Sequence, residues 1–141
     1  MEGRSPAQVF ALVIGLTLVV AGIVGFFYNA SFATGDGTER DAVLGILDVN
    51  GWHNVVHIAT GVLGLAVAGS YGGARGYAIG LGAVYLLVAL LGFIAGDGDE
   101  IVNLIPVNTE DNVLHLVLGV LGIGAGLASP EPVTTAPATA R

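Results

Sequence analysis

The sequence has no cysteine and no lysine, and only 11% of its residues are charged. Without cysteine there is no disulfide framework, no thiolate chemistry and no cysteine-held metal or iron–sulfur cluster. Four arginines stand against eleven acids, for a net charge of −7. That balance excludes the basic face a nucleic-acid partner requires. A soluble domain carries roughly a quarter charged residues, and this chain has too few to cover a water-facing surface. Its 54% hydrophobic content calls for a bilayer instead. Glycine-rich phosphate loops are missing too, because the glycines are spaced along apolar runs rather than gathered between a strand and a helix. Ser31 and Thr60 have no His/Asp arrangement around them. No enzymatic activity is expected.

What is present is a phrase that occurs twice. Residues 49–64 read VNGWHNVVHIATGVLG and residues 107–122 read VNTEDNVLHLVLGVLG. The matched residues share an offset of 58, as between Asn54 and Asn112. An earlier pair of apolar runs is similar at an offset of 67, as between Gly15 and Gly82. At 141 residues there is room for one domain. The repeats predict an all-α protein, a bundle of four transmembrane helices made of two tandem hairpins. Repeat 1 covers about 8–70, repeat 2 about 77–129, and the transmembrane domain 1–129. The Pro/Thr-rich stretch 130–141 is expected to be a disordered tail.

Taken in order, residues 8–28 are apolar and uncharged over the length that spans ~30 Å of hydrocarbon. A cleaved signal peptide ending near 31–33 is the competing reading. The run is long for a signal core, and it has a counterpart later in the chain. In the loop 29–49, Thr38 followed by Asp41 reads as a capping box. Ala42, Val43, Ile46 and Leu47 then recur at helical spacing, which predicts a short interfacial helix. Asn50 is expected to cap a helix over 51–70 and Asn108 one over 109–129. YGGARG (71–76) reads as a tight turn before a helix over 77–95.

A two-helix unit returns the chain to its starting side. The two copies should therefore be related by a pseudo-two-fold axis along the membrane normal. Arg4, Arg75 and Arg141 fall on one side and Arg40 on the other. The positive-inside rule then puts both termini in the cytoplasm of a multi-pass cell-membrane protein.

Asn54, His57, Gly61 and Gly64 form one helical stripe, and Asn112, His115, Gly119, Gly122 and Gly126 form its counterpart. Polar groups facing lipid are costly, so the stripes should face inward. Three readings follow. In the first, the stripe is a packing seam: small residues allow close helix approach and Asn or His bonds across the contact. In the second, His57 and His115 ligate haem b in an electron carrier. No basic residue lies near to neutralise its propionates. The third is a small transporter or sensor whose intramembrane polar cluster, Asn54, His57, Asn112 and His115, forms a pocket. No acid or base falls inside a helix core to drive transport. His53 could be a further ligand only near the surface. Asp97, Asp99 and Glu100 could ligate Ca²⁺ but read as a solvated turn, so no metal site and no resident cofactor are expected.

The phrases HNVVHIATGVLGL and DNVLHLVLGVLGI resemble a family of small, largely actinobacterial membrane proteins known only as a four-helix domain of unknown function. The resemblance covers the chain from the first helix to Ser129. It implies four spans with Asn54, His57, Asn112 and His115 as the signature, and it implies no activity. The acidic loops and the tail lie outside that pattern. Together these features lead us to expect a non-enzymatic structural or accessory subunit of a membrane assembly, with lipid and either a membrane-protein partner or a second copy as its neighbours.

Overall fold

The computed structural model describes residues 3–97 and 99–129. The predicted tail, 130–141, lies outside them. Among the described residues four helices form two antiparallel pairs: α1 (Pro6–Phe26) with α2 (Gly51–Val67), and α3 (Tyr71–Ala95) with α4 (Thr109–Leu127). Three of them, α1, α3 and α4, are long and apolar enough to cross a membrane. This is a membrane protein by that measure. The fourth, α2, has 17 residues, which at 1.5 Å each reach ~26 Å.

Local chemistry sets the ends. Ser5 and Gln8 form a reciprocal capping box at the start of α1, with Pro6 in its first turn, where a missing N–H costs nothing. Asn50 and Asn108 cap α2 and α4 as expected. Their side-chain oxygens accept from His53 N and Asp111 N at 3.0 and 2.8 Å. The predicted turn at 71–76 is instead the opening of α3, because Ser70 takes the cap and accepts from Gly73 N at 3.2 Å. Its three glycines weaken helix propensity, but the cap and the apolar run behind them prevail.

The all-α expectation needs one more correction. The stretch read as an interfacial helix over 42–47 is a β-hairpin, β1 (Asp41–Val43) paired with β2 (Leu47–Val49). A second hairpin, β3 (Asp99–Ile101) with β4 (Ile105–Val107), occupies the other long loop. Leu44 and Gly45 take positive φ (54° and 72°), as do Val102 and Asn103 (51° and 56°). Two consecutive left-handed residues end any helix and suit a tight hairpin. Asp41 therefore begins a strand rather than completing a capping box with Thr38, whose hydroxyl donates to Gly35 O instead.

Packing is closest within each hairpin of helices, α1 on α2 and α3 on α4, while α1 and α3 meet at the centre. Glycines make these approaches possible. A Cβ on Gly15 would lie 2.9 Å from Gly61 O, and one on Gly82 would lie 2.9 Å from Gly119 O. Gly25 and Gly92 are tighter still, since a Cβ on either would overlap the side-chain oxygen of Asn54 or Asn112. The core draws Ala7, Phe10, Ala11 and Leu18 from α1, and Ala74, Tyr77, Ala78 and Tyr85 from α3. Each is separated from its counterpart by 67 residues. The outward faces carry Val13, Leu16, Val20, Leu63, Leu87 and Leu121, all about half exposed, as a lipid-facing surface would.

The strand hairpins are fastened across the molecule. Asn50 Nδ2 donates to Leu104 O, and Asn108 Nδ2 donates to Ile46 O, both at 2.7 Å. Each helix cap thereby holds the hairpin turn that belongs to the other half of the chain. At the opposite end, Ser129 Oγ accepts from Ala7 N at 2.9 Å, which ties the start of α1 to the end of α4.

Candidate functional site

His57 stands at the seventh position of α2 and His115 at the seventh of α4, so each reaches the same depth from its cap. His53, one turn earlier on α2, joins them. It is 3% exposed rather than near the surface, because the first strand hairpin folds over it. One ring nitrogen from each of the three lies within 4.8 Å of the others. The His53 and His57 rings meet edge to face with centroids 4.4 Å apart, and His53 and His115 lie 6.0 Å apart.

These side chains border a cavity of about 160 Å³ between the two helical hairpins. Thr17, Leu18, Ala21 and Val24 of α1 form one wall and Leu114 and Leu118 of α4 another. Val43, Leu47 and Val49 of the first strand hairpin close it, and Tyr85 and Asp111 complete the lining. Asp111, 3% exposed, is the residue that corresponds to His53 in the repeated phrase. The backbone of Asp48 serves both. Its carbonyl lies 2.9 Å from His53 Nδ1, and its N–H donates to Asp111 Oδ2 at 2.9 Å. A carbonyl can only accept, so His53 Nδ1 carries the proton and Nε2 keeps its lone pair.

Two polar atoms here are buried without a partner, His115 Nδ1 and Tyr85 Oη, and their rings lie 5.0 Å apart. Outside the helices, Asp48 has its pKa raised by burial, against the lowering effect of Arg40, whose guanidinium lies 3.8 Å away.

The predicted polar cluster thus divides. His57 and His115 share the chamber. Asn54 and Asn112 do not line it; each turns toward the first helix of its own hairpin, against Gly25 or Gly92. Asn54 Nδ2 donates to Asn29 O at 2.8 Å, the role a packing seam assigns to it. Gly61, Gly64, Gly119, Gly122 and Gly126 all sit at close contacts with neighbouring elements. The acidic turn behaves as turn chemistry: Asp97 accepts from Thr109 N and Asp99 from Glu100 N. Sequence reasoning set His53 aside as a ligand only near the surface, whereas it is buried. Its signal is the i, i+4 spacing with His57, which puts both imidazoles on one helix face.

A family model described as a domain of unknown function, DUF4383, matches residues 8–128. The chain belongs to that family. The match takes in α2, α3, α4, all of α1 but its first two residues, both strand hairpins and every residue lining the chamber described above. No curated protein and no solved structure matches the chain.

Proposed function

We propose that this protein crosses the membrane four times as two duplicated hairpins related by a pseudo-two-fold axis along the membrane normal. Both termini are cytoplasmic, and the protein works without catalysis, as a small sensor or accessory subunit that holds a ligand in the histidine chamber. Several features support the duplication: the offsets of 58 and 67, the matching buried positions and the reciprocal Asn50 and Asn108 bonds.

One observation carries the ligand. Interiors are close-packed and buried polar groups are nearly always bonded. Here a void stands beside an unpartnered imidazole nitrogen and an unpartnered phenol. A seam serving packing alone would fill the space. The volume also favours an ion or a very small molecule over haem b on His57 and His115, since sites for larger organic ligands run ~300–1,000 Å³.

Native mass spectrometry of the full chain, released from detergent micelles, tests this reading. Wild type is expected to carry a non-covalent added mass that His115→Ala lacks. A bare polypeptide mass for both would refute it. The topology has its own test, because the chain has no native cysteine to confuse labelling. Ala33→Cys should react with an impermeant maleimide on intact cells, and Gly69→Cys only after lysis.

Partnership with another membrane protein, or with a second copy, is the second reading. Gly72, Gly76 and Gly80 lie one turn apart on α3 and border an apolar groove shared with Thr60, Leu63 and Val67 of α2. A Cβ at any of the three would meet no atom within 4 Å, so internal packing does not require them. Such spacing lets another transmembrane helix approach closely. Co-purification in mild detergent that is lost in Gly76→Leu would support this reading, and a lone monomer would count against it.

A further inference from the structure

Three imidazoles converge from two helices, and one of them is held in the tautomer that a metal needs. Metal-bound histidines characteristically donate their second ring N–H to a carbonyl or carboxylate. His53 already does so, through Nδ1 to Asp48 O at 2.9 Å, which leaves Nε2 available. His115 is 4% exposed and its Nδ1 has no partner. Four-coordinate Zn–N bonds of 2.0–2.1 Å place ligand nitrogens ~3.4 Å apart. The present nitrogens fall within 4.8 Å, so each ring need move inward by only about 1 Å or less. The cavity of about 160 Å³ would hold an ion and a few waters of ~30 Å³ each.

Charge points the same way. Nine of the eleven acids fall between residues 36 and 111, in the two loops and the first turn of α4 at the chamber end. Arg40 is the single basic residue of those loops. A field of that sign concentrates cations at the chamber mouth. The donor set then selects among cations. Ca²⁺ and Mg²⁺ require oxygen ligands, whereas imidazole suits zinc, copper, nickel and iron. There is no thiolate to select a softer ion.

We propose that His53, His57 and His115 bind one divalent first-row transition-metal ion of the zinc class, with Asp111 beside the open fourth position. This assignment rests on the ligand-chamber reading above and gives that ligand a chemical identity.

The test uses the tag-free full chain in mild detergent, stripped with a chelator and titrated with Co²⁺. The expected result is saturation at one equivalent with visible d–d absorption, displaced by Zn²⁺. Affinity should fall at least 10-fold in His115→Ala and in the more conservative His115→Asn, which guards against misfolding. Asp111→Asn should weaken binding by less. The assignment is overturned if wild type takes up no stoichiometric Co²⁺ or Zn²⁺. Uptake that survives unchanged in His53→Ala, His57→Ala and His115→Ala would also overturn it, because the acidic loops would then be the binders. If native mass spectrometry finds a bound organic mass while Co²⁺ fails, the metal falls and the chamber reading stands. If neither experiment finds anything, both fall.

Discussion

The two halves of the chain are alike where helices touch and unlike where they enclose the chamber. Gly15 against Gly61 is matched by Gly82 against Gly119, and Gly25 under Asn54 by Gly92 under Asn112. At the chamber the correspondence breaks. His53 faces Asp111 in the repeated phrase, and Leu18 on α1 stands where α3 has Tyr85. Pro106 occupies the place of Asp48 and has no N–H to give. The larger tyrosine fills its side, while the first strand hairpin closes the open one. Close helix contacts tolerate no change, because glycine is the only residue that fits them. The chamber wall is freer to differ, and its differences make the lining asymmetric.

The largest effects should come from breaking the shared contacts. Gly25→Leu and Gly92→Leu each force a side chain through an asparagine, and we expect losses of about 3 kcal/mol or more, read as thermal unfolding in detergent. Similar losses for both would show the halves equally dependent on this contact. A tolerated Gly92→Leu would break the likeness.

Exchanging the unlike residues sharpens the comparison further. His53→Asp should weaken Co²⁺ binding by at least 10-fold, whereas Asp111→His keeps all three imidazoles and should not weaken it. The double exchange should restore it to within about 10-fold of wild type, since it rebuilds the donor set in mirror position. Full restoration is not expected, because Pro106 cannot repeat the bond that Asp48 N gives to Asp111. A double exchange as weak as His53→Asp alone would mean the halves are not interchangeable at this point.

Smaller changes follow at the caps. Asn50→Ala and Asn108→Ala each remove a helix cap and a cross-molecule bond, for about 1–2 kcal/mol apiece. The mildest contrast lies on one helix. Gly80→Ala, with open space around it, should be neutral or gain up to about 1 kcal/mol. Gly82→Ala, two residues on, should lose stability, because its Cβ would lie 2.8 Å from Ile123 N.

The helices and both asparagine caps were legible because they rest on local chemistry: an apolar run and a side chain that bonds its own backbone. The strand hairpins were not. DAVLGILDV carries apolar residues at a spacing that suits either element, and the positive φ at Leu44 falls on a residue that rarely adopts it. The chamber was half legible. His57 and His115 could be matched by their offset, but the burial of His53 depends on the hairpin lid. The start of α3 was misread because glycine punctuates turns far more often than it opens helices.

The crossed asparagine bonds also order the protein's assembly. Asn50 is made early, yet the carbonyl it grips belongs to Leu104, more than fifty residues further along. Ile46 likewise waits for Asn108. A first half without the second therefore lacks the side chain that holds its hairpin turn. Both crossed bonds close only when residues of both halves are present, so the roof of the chamber is complete only in the whole four-helix unit.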